Sequence, residues 1–215
     1  MNILITGATG MVGEGVLLAC IGNPSITKIT MINRRHFPLQ NPKLKELLVD
    51  DFMNLENYSS ELQDFDACFF CAGISSIGLK EPEYTHITYD ITLNVAKVLA
   101  DLNPKMVFTY VSGALTDSSE KGKSMWARVK GKTENDLMKL PFKGVYNFRP
   151  GFMKPVAGQT NVKWFFKPVI WIFPILLPSQ TLTLNQVAQA MINAVQKGFS
   201  KHVLEIKDIK ELAKI

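Results

Sequence analysis

The sequence predicts an α/β fold: a doubly wound parallel sheet with helices on both faces and a small C-terminal region to one side. Three observations carry this. Short, nearly uninterrupted apolar runs rich in Val, Ile and Phe recur as far as Arg149, the mark of strands buried on both faces. Segments with apolar residues at three-to-four spacing lie between several of them, and strands alternating with helices imply parallel pairing through crossovers. The 215 residues, 47% hydrophobic and 20% charged, suffice for one substantial core without a fibrous or disordered bias. Residues 1–215 are therefore expected to form a single domain.

The predicted strands are 1–6, 28–33, 45–49, 67–71, 106–111 and 145–149, and the predicted helices among them are 11–20, 83–102 and 126–139. After Arg149 the pattern turns irregular, and 150–183 is expected to build the substrate side of the crevice. A helix then follows, opened by the capping-box sequence Thr183-Leu184-Asn185-Gln186 and stopped by Gly198. The stretch Trp164 to Leu177 is very apolar and aromatic, but fourteen residues interrupted by Lys167, Pro168 and Pro174 cannot cross a bilayer as a helix. It reads as a wall or lid over the core; contact with an apolar substrate, a partner subunit or a membrane surface is the alternative.

Charge and cysteines exclude other classes. The net charge of +5 is spread without long runs, which suits a small anionic ligand better than nucleic acid. An apolar strand from the first residue leaves no room for a positively charged leader, so a cytoplasmic location is expected. Cys20, Cys68 and Cys71 are too few for a disulfide framework. Cys68 and Cys71 form a C-x-x-C inside a strand, where residues three apart point to opposite faces. With no second ligand pair and no metal-like spacing among His36, His86 and His202, no metal site is expected.

The chemistry concentrates in Gly7-Ala8-Thr9-Gly10-Met11-Val12-Gly13, between the first strand and the first helix. Free N–H groups at a helix N-terminus bind a pyrophosphate when the backbone can approach it. Gly7 permits the tight turn, Gly10 removes the side chain that would strike the phosphates, and Gly13 lets helix pack on strand. The strand before and the helix after supply the context such a motif needs. The second strand ends in Asn33-Arg34-Arg35. With no carboxylate there to repel a 2'-phosphate and two guanidiniums able to grip it, the expected cofactor is NADP(H). The alternative is that the arginines merely decorate a loop.

Further turns follow in order: Asp51-Phe52, Cys71-Ala72-Gly73, Val111-Ser112-Gly113 and Arg149-Pro150-Gly151. With the glycine turn they make the chain resemble, over nearly its whole length, the short-chain dehydrogenase/reductase superfamily. The likeness is to its atypical branch near the Tat-interacting-protein oxidoreductases and small epimerase-like proteins. The resemblance implies a Rossmann-type fold, with Asp51 and Phe52 at the adenine and Cys71, Ala72 and Gly73 along its ribose. Pro150, Gly151 and Met153 would flank the nicotinamide. A helix N-cap is the other reading of Asp51.

The resemblance also implies a catalytic group of a Ser, a Tyr and a Lys four residues after the Tyr. Ser112 and Lys130 stand where Ser and Lys are expected, Lys130 also binding the nicotinamide ribose. The Tyr position is Trp126, and an indole N–H is no practical proton acid. Tyr84, Tyr89 and Tyr110 are the nearby tyrosines, and none has a Lys four residues on. Two functions follow from these residues. One is an NADP(H)-dependent oxidoreductase or epimerase-like enzyme with a nonstandard proton donor, acting on an apolar or sugar-nucleotide substrate. The other is a non-catalytic NADP(H) sensor. A homodimer through helix 83–102 or 126–139 is the assembly expected from the resemblance.

Overall fold

The computed structural model describes residues 1–162 and 178–215. Nine strands occur among them: β1 (Asn2–Thr6), β2 (Lys28–Asn33), β3 (Leu44–Leu48), β4 (Ala67–Phe70), β5 (Val107–Val111), β6 (Gly144–Phe148), β7 (Phe152–Lys154), β8 (Thr181–Thr183) and β9 (Val203–Leu204). The helices are α1 (Met11–Ile21), α2 (Glu81–Thr85), α3 (Ile91–Leu102), α4 (Met125–Leu137), α5 (Leu184–Lys197) and α6 (Ile206–Leu212). Seven strands form one parallel sheet in the order β3-β2-β1-β4-β5-β6-β9, and β7 pairs with β8 separately. The chain winds outward from β1 through β2 to β3, then returns to β4 on the other flank of β1. That reversal opens a crevice at the carboxyl ends of β1 and β4.

Side-chain alternation explains the apolar runs. Ile3, Ile5, Met31 and Phe69 face one side and pack with Val16 and Leu17 of α1 and Val187 and Met191 of α5. Leu4, Ile32, Cys68, Phe70 and Phe108 face the other, with Leu55, Val95 and Leu99 and with Leu137 of α4. Both faces are covered, so neighbouring residues on one strand are buried alike, each large side chain contributing about 1.5–3 kcal/mol. The edge strand β3 departs from the expectation: Lys45 and Leu48 are exposed, because only β2 pairs with it.

The helix expected over 83–102 begins earlier, with Pro82 in its first turn where a missing N–H costs nothing. One π turn, His86–Asp90, interrupts it before α3. At α5 the capping box forms as expected: Thr183 Oγ1 accepts from the Gln186 N–H at 3.1 Å, and Gln186 Oε1 accepts from the Thr183 N–H at 2.8 Å. Within 150–183, the strands β7 and β8 give part of the irregular region order. The aromatic stretch 164–177 lies outside the described residues. Among the described residues no helix is long and apolar enough to cross a membrane, and no cluster of His, Cys, Asp or Glu could hold a metal ion.

Candidate cofactor and active site

Gly7 leaves β1 with φ +73°, and a Cβ there would lie 2.6 Å from the Ala72 nitrogen. Only glycine lets the turns after β1 and β4 meet this closely. A Cβ on Gly13 would lie 2.1 Å from the Gly7 carbonyl oxygen, so α1 rests directly on the turn. Gly10 differs. Its Cβ would meet only that same oxygen, at 3.4 Å, so its absence keeps space open above the turn rather than relieving a clash. Gly10 is also the N-cap of α1 and has no side chain to cap it, which leaves the helix end for a ligand.

A cleft of about 440 Å³ opens here, lined by Gly7, Thr9 and Gly10 from the first turn, Asn33, Arg34 and Arg35 from the end of β2, Phe52, and Cys71, Ala72 and Gly73. Ile74, Ile87 and Ile91 close its apolar side. The sequence reading missed these isoleucines, although the spacing of Ile87 and Ile91 places both on one helical face. Burial pushes the Cys71 thiol up to about 12, so it is a neutral wall group rather than a reactive thiolate.

Other expected residues lie elsewhere. Met11 and Val12 belong to the first turn of α1 and are not part of the cleft lining. Asp51 is exposed and outside that lining; its Oδ1 accepts from the Met53 N–H at 2.9 Å and so caps the 3₁₀ turns Phe52–Glu61. Pro150 accepts from the Ala114 N–H at 2.9 Å, tying the loop after β6 to the loop after β5. A Cβ on Gly151 would lie 2.7 Å from the Gln180 carbonyl oxygen, and Met153 sits in β7.

Ser112 is buried, its hydroxyl 2.5 Å from Glu134 Oε1 and 3.0 Å from the Phe148 carbonyl oxygen. Glu134 is fully buried and paired with Arg149, which reaches Oε1 through Nε at 3.0 Å and Oε2 through Nη2 at 2.5 Å. Arg149 also donates to Glu205 and Ser118. This internal network occupies the Ser112 hydroxyl. At the next position, by contrast, a Cβ on Gly113 would meet nothing within 4 Å.

Lys130 donates to the Ser112 carbonyl oxygen. Its burial lowers the ammonium pKa to about 8, against the opposing pull of the Glu134 carboxylate. Trp126 lies one turn before it on α4. Of the three nearby tyrosines, Tyr84 and Tyr110 are buried and burial raises both phenols, while Tyr89 donates to Asp136 at 2.7 Å.

The parallel sheet, its reversal beside β1 and the glycine turn at the crevice agree with the comparisons to known proteins. Residues 3–125 match the family described as NAD dependent epimerase/dehydratase. The chain belongs to that family. Among relatives, it is 27% identical to Protein HTATIP2 of Rattus norvegicus over 224 residues, covering 99% of this chain and 89% of that protein. It is 28% identical to Protein FMP52, mitochondrial, of Candida albicans over 222 residues, covering 97% and 92%. Two solved structures share the fold. MoeE5 in complex with UDP-glucuronic acid and NAD has TM-score 0.68 at 16% identity, covering 96% of this chain and 76% of its own. The UDP-glucuronic acid 4-epimerase of Bacillus cereus in complex with NAD has TM-score 0.66 at 15%, covering 95% and 76%. This family member thus has the Rossmann-type α/β fold of its neighbours and the short-chain dehydrogenase/reductase likeness of its sequence.

Proposed function

We propose that the chain binds NADP(H) in the cleft and acts as an oxidoreductase or epimerase-like enzyme on an apolar or sugar-nucleotide substrate. The observation that carries the cofactor reading is that Arg34 and Arg35 line the same cleft as Gly7 and Gly10. The neighbours named above carry NAD; the choice of NADP(H) for this chain rests on the two guanidiniums and on Asn33 standing where a carboxylate would disfavour a 2'-phosphate.

The residues fit a dinucleotide. Gly10 leaves the approach to the α1 N-terminus open, and Gly7 and Gly13 allow the backbone packing that forms the cradle. Arg34 and Arg35 would hold the 2'-phosphate and Phe52 and Cys71 to Gly73 the adenosine, all in the cleft lining; Lys130 at the nicotinamide ribose and Pro150, Gly151 and Met153 at the nicotinamide side lie outside that lining and rest on the family resemblance. When bound, the cofactor supplies hydride transfer. Trp126 can donate a hydrogen bond to a substrate oxygen but no proton, and the Ser112 hydroxyl is held by Glu134 and Phe148. The proton therefore comes from a water or from the substrate itself. A cytoplasmic location is the matching proposal from the sequence.

The same two facts favour a second reading, a sensor that binds NADP(H) without turning it over. Thermal melts with NADPH, with NADH and with neither separate the claims, since a ligand raises apparent stability with its occupancy. A larger shift with NADPH is expected. No shift with either removes the cofactor reading, and equal shifts remove the argument from Arg34 and Arg35.

A further inference from the structure

The end of β2 carries an arrangement that the motif Asn33-Arg34-Arg35 does not reveal. Arg34 and Arg35 are exposed at the cleft, and among the described residues neither guanidinium has a hydrogen-bond or ion-pair partner. A carboxylate lies close by, on the adjacent strand β3: Glu46. It does not pair with the arginines. Its Oε1 accepts from Asn33 Nδ2 at 2.8 Å and from the Phe37 N–H at 2.9 Å, and its Oε2 lies 2.5 Å from His36 Nδ1.

We propose that Glu46 is the positioning residue for recognition of the 2'-phosphate: it clamps the chain on both sides of Arg34 and Arg35 and leaves the two guanidiniums free for the ligand. This rests on the reading that the cleft takes NADP(H). The clamp spans the pair, with Asn33 before it and His36 and Phe37 after it. Its far side is anchored, because Phe37 is partly buried and packs against the hydrophobic core. Three donors also occupy the carboxylate, so it does not capture an arginine. Although burial works in the opposite direction, the Asn33, His36 and Phe37 contacts hold the Glu46 carboxyl below its ordinary range, so it stays charged near neutral pH. A free loop would have to order its backbone on binding, at a cost in conformational entropy that a clamped loop has already met; the two arginine side chains order on binding in either case.

The test uses 2',5'-ADP and 5'-AMP, which differ only in the 2'-phosphate, as probes of the full chain by titration calorimetry, and the ratio of their affinities is the readout. Wild type is expected to favour 2',5'-ADP by about tenfold or more, the size of one charge-assisted contact. Glu46→Ala is expected to lower that ratio by at least about fivefold while 5'-AMP affinity changes less than about twofold. Glu46→Gln keeps an oxygen for Asn33 and Phe37 and should retain at least half of the wild-type ratio. An unchanged or raised ratio in Glu46→Ala overturns the proposal, as does an equal loss of both probes or a glutamine variant as impaired as alanine. Should Glu46→Ala lose its cooperative melt, His36→Ala, at a position 71% exposed, carries the test: a ratio lowered at least twofold supports the clamp, and an unchanged one overturns it. A wild-type ratio near one removes the NADP(H) reading itself; a wild-type preference that survives in the alanine variant removes only the role of Glu46.

Discussion

Trp126 and Lys130 stand one turn apart on α4 and so share a face of the helix. An indole can donate a hydrogen bond but is no practical proton acid. Trp126→Tyr is therefore expected to raise NADPH oxidation with small carbonyl substrates by about 10²-fold or more, the ordinary contribution of a general acid. A variant that binds NADPH as wild type does but stays inert decides for the sensor reading. Lys130 adds a pH dependence of known sign. Its folded pKa of about 8 lies below the usual lysine value because burial penalises the ammonium. The unfolded chain thus binds more protons between pH 8 and roughly 10.5, and stability attributable to Lys130 rises with pH across that window. In denaturant titrations, wild type should gain on Lys130→Met from pH 8 to pH 10 and keep a constant difference below pH 7; a flat difference throughout rejects the burial argument.

Between elements, the strongest constraint is the contact of α1 with the turn before it. Gly13→Ala would force a Cβ to within 2.1 Å of a backbone oxygen, which cannot rotate away. A loss of at least about 2 kcal/mol is expected in urea unfolding, with cofactor binding lost in the same variant. The Glu134 to Arg149 pair joins α4 to the end of β6. Glu134→Ala leaves a nearly buried guanidinium without its main partner and should cost about 3–5 kcal/mol. Replacing both residues with methionine should recover much of that loss, and a double variant as unstable as Glu134→Ala counts against it. These elements also mark how far the sequence was legible. The strands 1–6, 28–33, 67–71 and 106–111 were readable to within a residue because burial on both faces leaves continuous apolar runs. By contrast, β7, β8 and β9 are two or three residues long, and only their partners define them. The glycine turn and the arginine pair were readable because motif and context are both local, whereas the Cys71 to Gly73 wall came from the family resemblance. Glu134 with Arg149 was not, nor was the Glu46 clamp, because contacts across 10 or 15 residues between unlike elements leave no period. Ser112 stood in the expected turn, but no pattern in the sequence says which way its hydroxyl faces.

Across the whole molecule, the first turn of α1 is tied to a loop 146 residues later. The nearly buried Glu14 carboxylate accepts from Thr160 N at 2.8 Å, Thr160 Oγ1 at 2.7 Å and Asn161 N at 2.7 Å, and Gln159 Nε2 donates to the Met11 carbonyl at 2.7 Å. Burial alone would raise the Glu14 pKa, but the Thr160 and Asn161 donors outweigh it and the net shift is downward. Its stabilisation is thus present above the ordinary carboxyl range and fades as pH falls through the lower folded value. The loop is fastened to the same helix whose N-terminus receives the phosphates in the proposed function, so ordering one end should steady the other. Hydrogen exchange with and without NADPH tests this coupling. Slowing is expected in residues 7–14, 34–37 and 71–73, which meet the cleft or flank it, and also in 156–161, outside its lining. In Glu14→Ala the slowing should persist in the first three segments and vanish from 156–161, with a stability loss of roughly 1–3 kcal/mol. If 156–161 is protected equally in both proteins, the loop senses the ligand by another route; if it is protected in neither, α1 carries no signal to it.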